Sequence, residues 1–301
     1  MNILVLGGTG MLGHKMFQVL QERAPDVWCT VRGSSDEAAA LAPGLFSGAN
    51  LIPHIDANDL LALERMLTER RPRVIVNCVG IIKQRLEARA AIPSITINAL
   101  LPHMLARWCE RRNGRLIHFS TDCVFSGQRG NYSEDDVADA CDLYGRTKYL
   151  GEVSGRTALT LRTSIIGREL EHFQSLVEWF LRQNGGRVRG YTRALYSGVT
   201  TNYLAGLVGR IIEEHCPLHG LYQVTAATIS KFEILCLLRD VYRKDVEIVP
   251  DDTFFCDRSM QGNKVIAATG YRTPPWPELM AQLADDRTPY EQWRRNAQQT
   301  I

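Results

Sequence analysis

Tyr144 and Lys148 stand four positions apart and have the types and spacing to work as a proton donor. On a helix, residues i and i+4 lie one above the other on the same face. An ammonium held beside a phenol favours the phenolate and pulls its pKa from about 10 toward neutral. Such a pair hands a proton to a carbonyl oxygen, or takes one from an alcohol, at neutral pH. Chance alone supplies roughly 0.2 such pairs in a chain of this composition. The surrounding residues must therefore decide between chemistry and an ordinary exposed helix pair.

The elements that would position the pair are legible upstream. Asn2–Leu6 reads as a buried strand, followed by Gly7-Gly8-Thr9-Gly10-Met11-Leu12-Gly13 and a helical pattern through Met16, Phe17, Val19 and Leu20. Glycines 7, 10 and 13 between a strand and a helix suit a dinucleotide pyrophosphate. The turn needs residues without Cβ, and the helix N-terminus offers free N–H groups. Gly7, Thr9, Gly10, Met11, Leu12 and Gly13 are thus the expected cofactor loop. The next strand, Val27–Val31, ends at Arg32, where an acidic residue would bind the ribose 2′-hydroxyl of NAD. A guanidinium suits a 2′-phosphate instead, so NADP(H) is favoured, with NAD(H) and a plain surface arginine as the alternatives.

Further strand–helix units follow. Asn50–Ile55 is expected as a strand with Asp56 facing the adenine, then a helix over Asp59–Glu69. Arg73–Cys78 is a strand running into Asn77-Cys78-Val79-Gly80. A helix from about Ile92 to Arg112 carries Asn98, and Leu116–Ser120 is another strand. This alternation predicts an α/β fold, a Rossmann-type doubly wound parallel sheet. Ligands in such sheets bind outside the carboxyl ends of the strands. Gly7, Arg32, Asp56, Asn77, Val79, Gly80 and Ser120-Thr121 all fall there.

The glycine turn, Asn98, Ser120-Thr121-Asp122-Cys123-Val124-Phe125-Ser126-Gly127 and Tyr144-Gly145-Arg146-Thr147-Lys148-Tyr149-Leu150-Gly151-Glu152 together resemble the extended short-chain dehydrogenase/reductases. Within them the chain is most similar to the dTDP-4-dehydrorhamnose reductase branch, which acts on nucleotide-linked sugars. The motifs run in order through residues 1–168. Leu161-Arg162-Thr163-Ser164 and Ala268-Thr269-Gly270-Tyr271 extend the likeness. The resemblance implies roles. Tyr144 is the general acid, and Lys148 holds the nicotinamide ribose and lowers the phenol pKa. Thr121 donates to the carbonyl oxygen. Asn98 supports local geometry or a water relay, or simply bonds to backbone. Asp122 and Glu152 read either as direct participants or as residues that only cap or pair. Two departures bear on the substrate. Cys123 and Ile165 stand where the branch commonly has aromatics against the sugar, so the identity of the sugar is not carried over.

The resemblance also implies a cofactor domain at 1–168 and, at 169–301, a smaller α/β substrate lobe with some segments returning to the sheet. A helix is expected at Ser175–Gln183, then a loop-rich stretch with Arg193 and Tyr196. A helix at Leu204–Glu214 follows, and the Ser230-Lys231-Phe232-Glu233 capping box opens another helix to about Arg243. Asp245–Val249 is expected as a strand. Arg187, Arg193 and Arg258 are candidates for a diphosphate. The tail from Thr288 reads either as a partner-facing helix or as a frayed end.

Bulk properties narrow the classes. Net charge is +2, with 23% charged and 45% hydrophobic residues, which argues against nucleic acid or an anionic membrane as partner. Eight cysteines without a C-x-x-C suit reduced, packed thiols in a cytoplasm. The opening strand carries no basic leader, and no apolar run is long enough to span a bilayer. His215-Cys216-Pro217-Leu218-His219 reads as a loop, and no metal is predicted. The expected function is reduction of a nucleotide-linked keto-sugar by NADPH, in precursor synthesis for deoxysugars or polysaccharides. Epimerisation or dehydration with bound NAD(P), and a non-catalytic NADP-binding regulatory subunit, are the alternatives. The resemblance further implies a homodimer.

Overall fold

Ile3, Leu4, Val5 and Leu6 are all buried, as a central strand of a two-faced sheet requires. Ile3 and Val5 point to one face and meet Met16, Phe17 and Leu20. Leu4 and Leu6 point to the other and meet Leu63, Leu67 and Leu105. The computed structural model describes residues 1–48, 50–82, 90–215 and 217–299. Six strands in chain order, β1 (Ile3–Leu6), β2 (Val27–Thr30), β3 (Leu51–Ile52), β4 (Val74–Asn77), β5 (Arg115–Thr121) and β6 (Ala158–Thr163), form the sheet. A seventh, Gly220–Gln223, returns from the second half to pair with β6. All neighbours are parallel, in the order 220–223, β6, β5, β4, β1, β2, β3. The strand order reverses between β1 and β4, which opens a crevice at their carboxyl ends.

The second half builds small sheets beyond that edge. Ala194–Tyr196 pairs with Ile229–Ser230 and Cys256–Asp257, and Arg187–Tyr191 runs parallel to Glu247–Asp251. The helix Thr201–Glu214 packs on the helix Met11–Arg23. Expectation and structure differ at some element ends. The strand expected over 50–55 shortens to β3, because Pro53 lacks an amide donor and His54 takes φ 58°. The strand expected at 245–249 lies at Glu247–Asp251. No described helix is long and apolar enough to cross a membrane.

The helix expected from Ile92 to Arg112 is broken by a π-turn over Thr96–Leu100, between Ala91–Ile95 and Leu101–Arg112. Pro102 has no N–H for the Asn98 carbonyl four residues back, and its ring crowds that oxygen. The chain widens to a five-residue step instead, with the Leu101 amide donating to the Thr96 carbonyl. The Asn98 carbonyl then faces Gly151, where a Cβ would stand only 1.9 Å away. A glycine at 151 thus lets this helix approach the end of Leu143–Leu150, the helix carrying Tyr144 and Lys148.

The described part of the tail is helical and docked on the cofactor half. Residues 290–299 form a helix whose Tyr290 and Trp293 are buried. His14 Nε2 and the Tyr290 hydroxyl share a 2.8 Å hydrogen bond, and Trp293 lies over Gly44.

Candidate active site

The Gly7 turn takes φ 83°, open to glycine at little cost. A Cβ on Gly13 would fall 1.9 Å from the Gly7 carbonyl oxygen, so the first turn of the helix closes onto the loop only without one. The Gly7 amide donates to Thr30 Oγ1 at 3.1 Å and the Gly8 amide to the Thr30 carbonyl at 2.8 Å, tying the loop to β2. In front of the loop lies a cavity of about 280 Å³ lined by Gly7, Thr9, Gly10, Arg32, Asp56 and Val79 among others. A second cavity, about 360 Å³, is lined by Met11, Leu12, Asn77, Thr121, Cys123, Tyr144, Lys148 and Ile165 among others. The two share Gly10 and residues 78–81, so they form one cleft along the carboxyl ends of β1, β4 and β5.

This places most of the sequence-derived residues together. Gly80 borders both halves, while Gly13 serves beneath the turn. Asn77 turns its carboxamide inward, accepting from the Val79 amide at 3.1 Å and meeting His118 Nδ1 at 3.2 Å, which shapes the 78–81 wall. Asn98 holds the same wall from the far side. Its Oδ1 accepts from the Ile81 amide at 3.0 Å and its Nδ2 donates to the Ile81 carbonyl at 3.1 Å. The same Nδ2 reaches Thr147 Oγ1 at 3.3 Å on the Tyr144 helix.

At the reacting end, Asp142 caps the Tyr144 helix by accepting from the Gly145 amide at 2.9 Å. Thr121 ends β5 and caps the short turn Asp122–Val124, its Oγ1 accepting from the Cys123 amide at 3.1 Å and donating to Asp122 Oδ1 at 3.1 Å. Glu152 pairs with buried Arg162 through two contacts of 2.9 and 2.7 Å and accepts from Ser120 Oγ at 2.6 Å. That carboxylate is a strut between β5 and β6.

The electrostatics depart from expectation. Burial holds the Tyr144 phenol well above its usual value, with a hydrogen bond to Thr121 pulling the other way. Lys148 Nζ donates to the Phe119 carbonyl at 2.6 Å, and burial lowers its pKa to about 8 against a smaller opposing pull from Glu152. The expected lowering of the phenol is therefore absent here: desolvation of the phenolate dominates, Cys123, Asp122 and Asp142 raise it further, and the Thr121 hydrogen bond alone opposes them.

Arg193 and Arg258 do not line the cleft cavities. Arg193 lies over the Phe255 ring, and Arg187 pairs with Glu247 at 2.6 Å, exposed. Arg258 stands behind the lining residue Cys123, with Nε donating to the Phe125 carbonyl at 2.8 Å and Nη1 standing 3.7 Å from Cys123 Sγ. The second half also contributes lining residues that the sequence reading did not assign to the site: Glu169, Ser175, Tyr196 and Lys231. Lys231 sits inside the capping box that was legible, but nothing local showed where that helix would dock. Among the described residues no group of three metal-binding side chains occurs. His219 Nδ1 binds the Pro217 carbonyl, and Cys216 lies outside the described residues.

A glycine turn on a reversed parallel sheet, with Thr121, Tyr144 and Lys148 on its adjoining cavity, defines a dinucleotide-binding site of the short-chain dehydrogenase/reductase type. The chain belongs to the RmlD substrate-binding domain family, whose model matches residues 1–253. It is 33% identical over 242 residues to a probable dTDP-4,6-dihydroxy-2-methyloxan-3-one 4-ketoreductase of Streptomyces antibioticus, covering 75% of this chain and 72% of that one. It is 26% identical over 176 residues to methionine adenosyltransferase 2 subunit beta of Mus musculus, covering 57% of this chain and 49% of that one. Among solved structures, the dTDP-4-dehydrorhamnose reductase of Bacillus anthracis in complex with NADP superposes with a TM-score of 0.75 at 21% identity, over 94% of this chain and 98% of that one.

Proposed function

We propose that this chain is an NADPH-dependent reductase of a nucleotide-linked keto-sugar. The observation that carries the reading is the single cleft that joins the glycine turn and Arg32 to Thr121, Tyr144 and Lys148. The glycine half fits a dinucleotide: a Cβ on Gly10 would meet only the Gly7 carbonyl oxygen, at 3.4 Å, so the loop leaves room for a pyrophosphate. Arg32 would hold the 2′-phosphate and Asp56 the adenine side. NADPH supplies a hydride, and the protein's residues do the rest. Thr121 would turn its single O–H from Asp122 Oδ1 to the carbonyl oxygen as charge develops there. Tyr144, kept as a phenol by burial, gives its proton to that oxygen. Lys148 then carries its positive charge beside the phenolate and orients the ribose.

The relatives named as reductases of dTDP-sugars support a nucleotide sugar as substrate, and precursor synthesis for deoxysugars or polysaccharides as the setting. The second reading is a non-catalytic, NADP-binding regulatory subunit, and the likeness to a protein named as a subunit, methionine adenosyltransferase 2 subunit beta, favours keeping it. A thermal-shift panel of NADPH and NADH against dTDP-, UDP-, GDP- and CDP-sugars tests the first, since stabilisation follows affinity for the native state. The reading expects NADPH to stabilise more than NADH, and one nucleotide class to add to it. No shift with any dinucleotide sinks it.

A further inference from the structure

The helix Lys231–Val241 begins at a fixed point. Ser230 Oγ accepts from the Glu233 amide at 3.1 Å, and Glu233 Oε2 accepts from the Ser230 amide at 2.8 Å. Its first residue, Lys231, lines the same cavity as Thr121, Asp122, Cys123 and Tyr144. The ammonium stands 3.8 Å from the centroid of the Tyr196 ring. A ring face attracts a cation but cannot balance its charge. No described residue forms an ion pair or hydrogen bond with Lys231 Nζ. Burial lowers its pKa to about 8, while Asp122, Cys123 and Cys256 favour the ammonium at longer range.

The neighbouring cation is already engaged. Arg258, across Cys123, gives Nε to the Phe125 carbonyl and Nη2 to the Ser126 carbonyl at 3.4 Å. Among the described residues Lys231 is thus a cation with no anionic or hydrogen-bonding partner, on the substrate half of the cleft. A desolvated ammonium of this kind is relieved by a ligand that brings negative charge.

We propose that Lys231 is a substrate-recognising residue that holds an oxyanion of the substrate. The assignment rests on the nucleotide-sugar reading and adds to it the residue and the charge it selects. The oxyanion has two sources, a phosphate of the diphosphate link or a carboxylate on the sugar.

Titration calorimetry on protein saturated with oxidised NADP separates them, using wild type, Lys231→Met and Lys231→Arg. The ligands are dTDP, dTDP-glucose, UDP-glucose and UDP-glucuronate. Methionine keeps the stem against Tyr196 and removes the charge, and arginine restores the charge. Loss of one charged hydrogen bond weakens binding by about tenfold to a hundredfold. That loss is expected in Lys231→Met and its recovery in Lys231→Arg, with affinity for oxidised NADP unchanged in both. A full loss with dTDP itself assigns the phosphate, and a loss confined to UDP-glucuronate assigns the carboxylate. Wild-type affinity of Lys231→Met for every ligand that wild type binds overturns the Lys231 assignment alone. Wild type that binds oxidised NADP and none of the four ligands overturns the nucleotide-sugar reading, and this assignment with it.

Discussion

Lys148 illustrates how a single side chain serves chemistry against stability. Its ammonium is buried on the Phe119 carbonyl, and its pKa falls from 10.5 to about 8. Between about pH 8 and 10.5 the unfolded chain binds more protons than the folded one, so this residue makes stability rise with pH across that window. At pH 7 the desolvation cost is fully present. Lys148→Met is therefore expected to raise the melting temperature at pH 7 while abolishing turnover, read by calorimetry and by NADPH consumption. The same shift sets a pH limb. Tyr144 stays protonated through the alkaline range because burial raises it. The fall in reductive kcat/KM above about pH 8 should then follow Lys148, and a profile flat to pH 10 counts against the assignment. Arg32 carries a separate prediction: Arg32→Ala weakens NADPH binding by about tenfold or more, through the lost charged contact, and leaves NADH nearly unchanged. Tyr144, Lys148 and Arg32 were legible because local spacing and strand ends define them. Lys231 was not, since its meaning depends on Tyr196 and Asp122, which lie far away in the chain.

At the scale of elements, the glycine loop separates binding from folding. Gly13→Ala places a methyl 1.9 Å from the Gly7 carbonyl oxygen and must displace backbone, whereas Gly10→Ala meets only a 3.4 Å contact. Gly13→Ala is expected to lower stability by about 2 kcal/mol or more through strain. Gly10→Ala keeps the melting temperature and loses NADPH affinity, because its methyl fills the pyrophosphate cradle. Denaturant titration and calorimetry distinguish the two, and equal stability losses contradict the loop geometry. The parallel sheet was readable from alternating strands and helices, down to ends within a few residues. The π-turn at Thr96–Leu100 was not. Pro102 and Asn98 are both visible in the sequence, but Gly151, which gives the displaced Asn98 carbonyl room, belongs to the end of another helix.

Across the whole molecule, the C-terminal segment ties the two halves together. Lys15 and Asp286 pair at 2.6 Å, both buried, and Asn202 donates to the same carboxylate at 3.0 Å. Arg294 reaches Glu178 at 2.7 Å and the Glu169 carbonyl at 2.8 Å, beside the cleft-lining Glu169. The tail looked merely polar in sequence because its partners, His14 and Lys15, lie at the other end of the chain. Burial raises the pKa of Asp286, but the bond and charge of Lys15 outweigh it and leave the pKa lowered. Its contribution to stability is present at neutral pH and is lost as pH falls through the folded pKa. Asp286→Asn strands the Lys15 charge and should cost about 3–5 kcal/mol in urea unfolding at pH 7. In the proposed reaction Tyr144 protonates a sugar carbonyl as hydride arrives. This step is tested most directly with NADPH deuterated at the transferring position and a dTDP-linked keto-sugar, comparing wild type with Tyr144→Phe. One NADPH consumed per product, deuterium on the new carbinol carbon, and a fall in kcat of about a hundredfold to ten-thousandfold in Tyr144→Phe with NADPH affinity retained are expected. Product formed without net NADPH consumption, or equal rates for the two proteins, would contradict it.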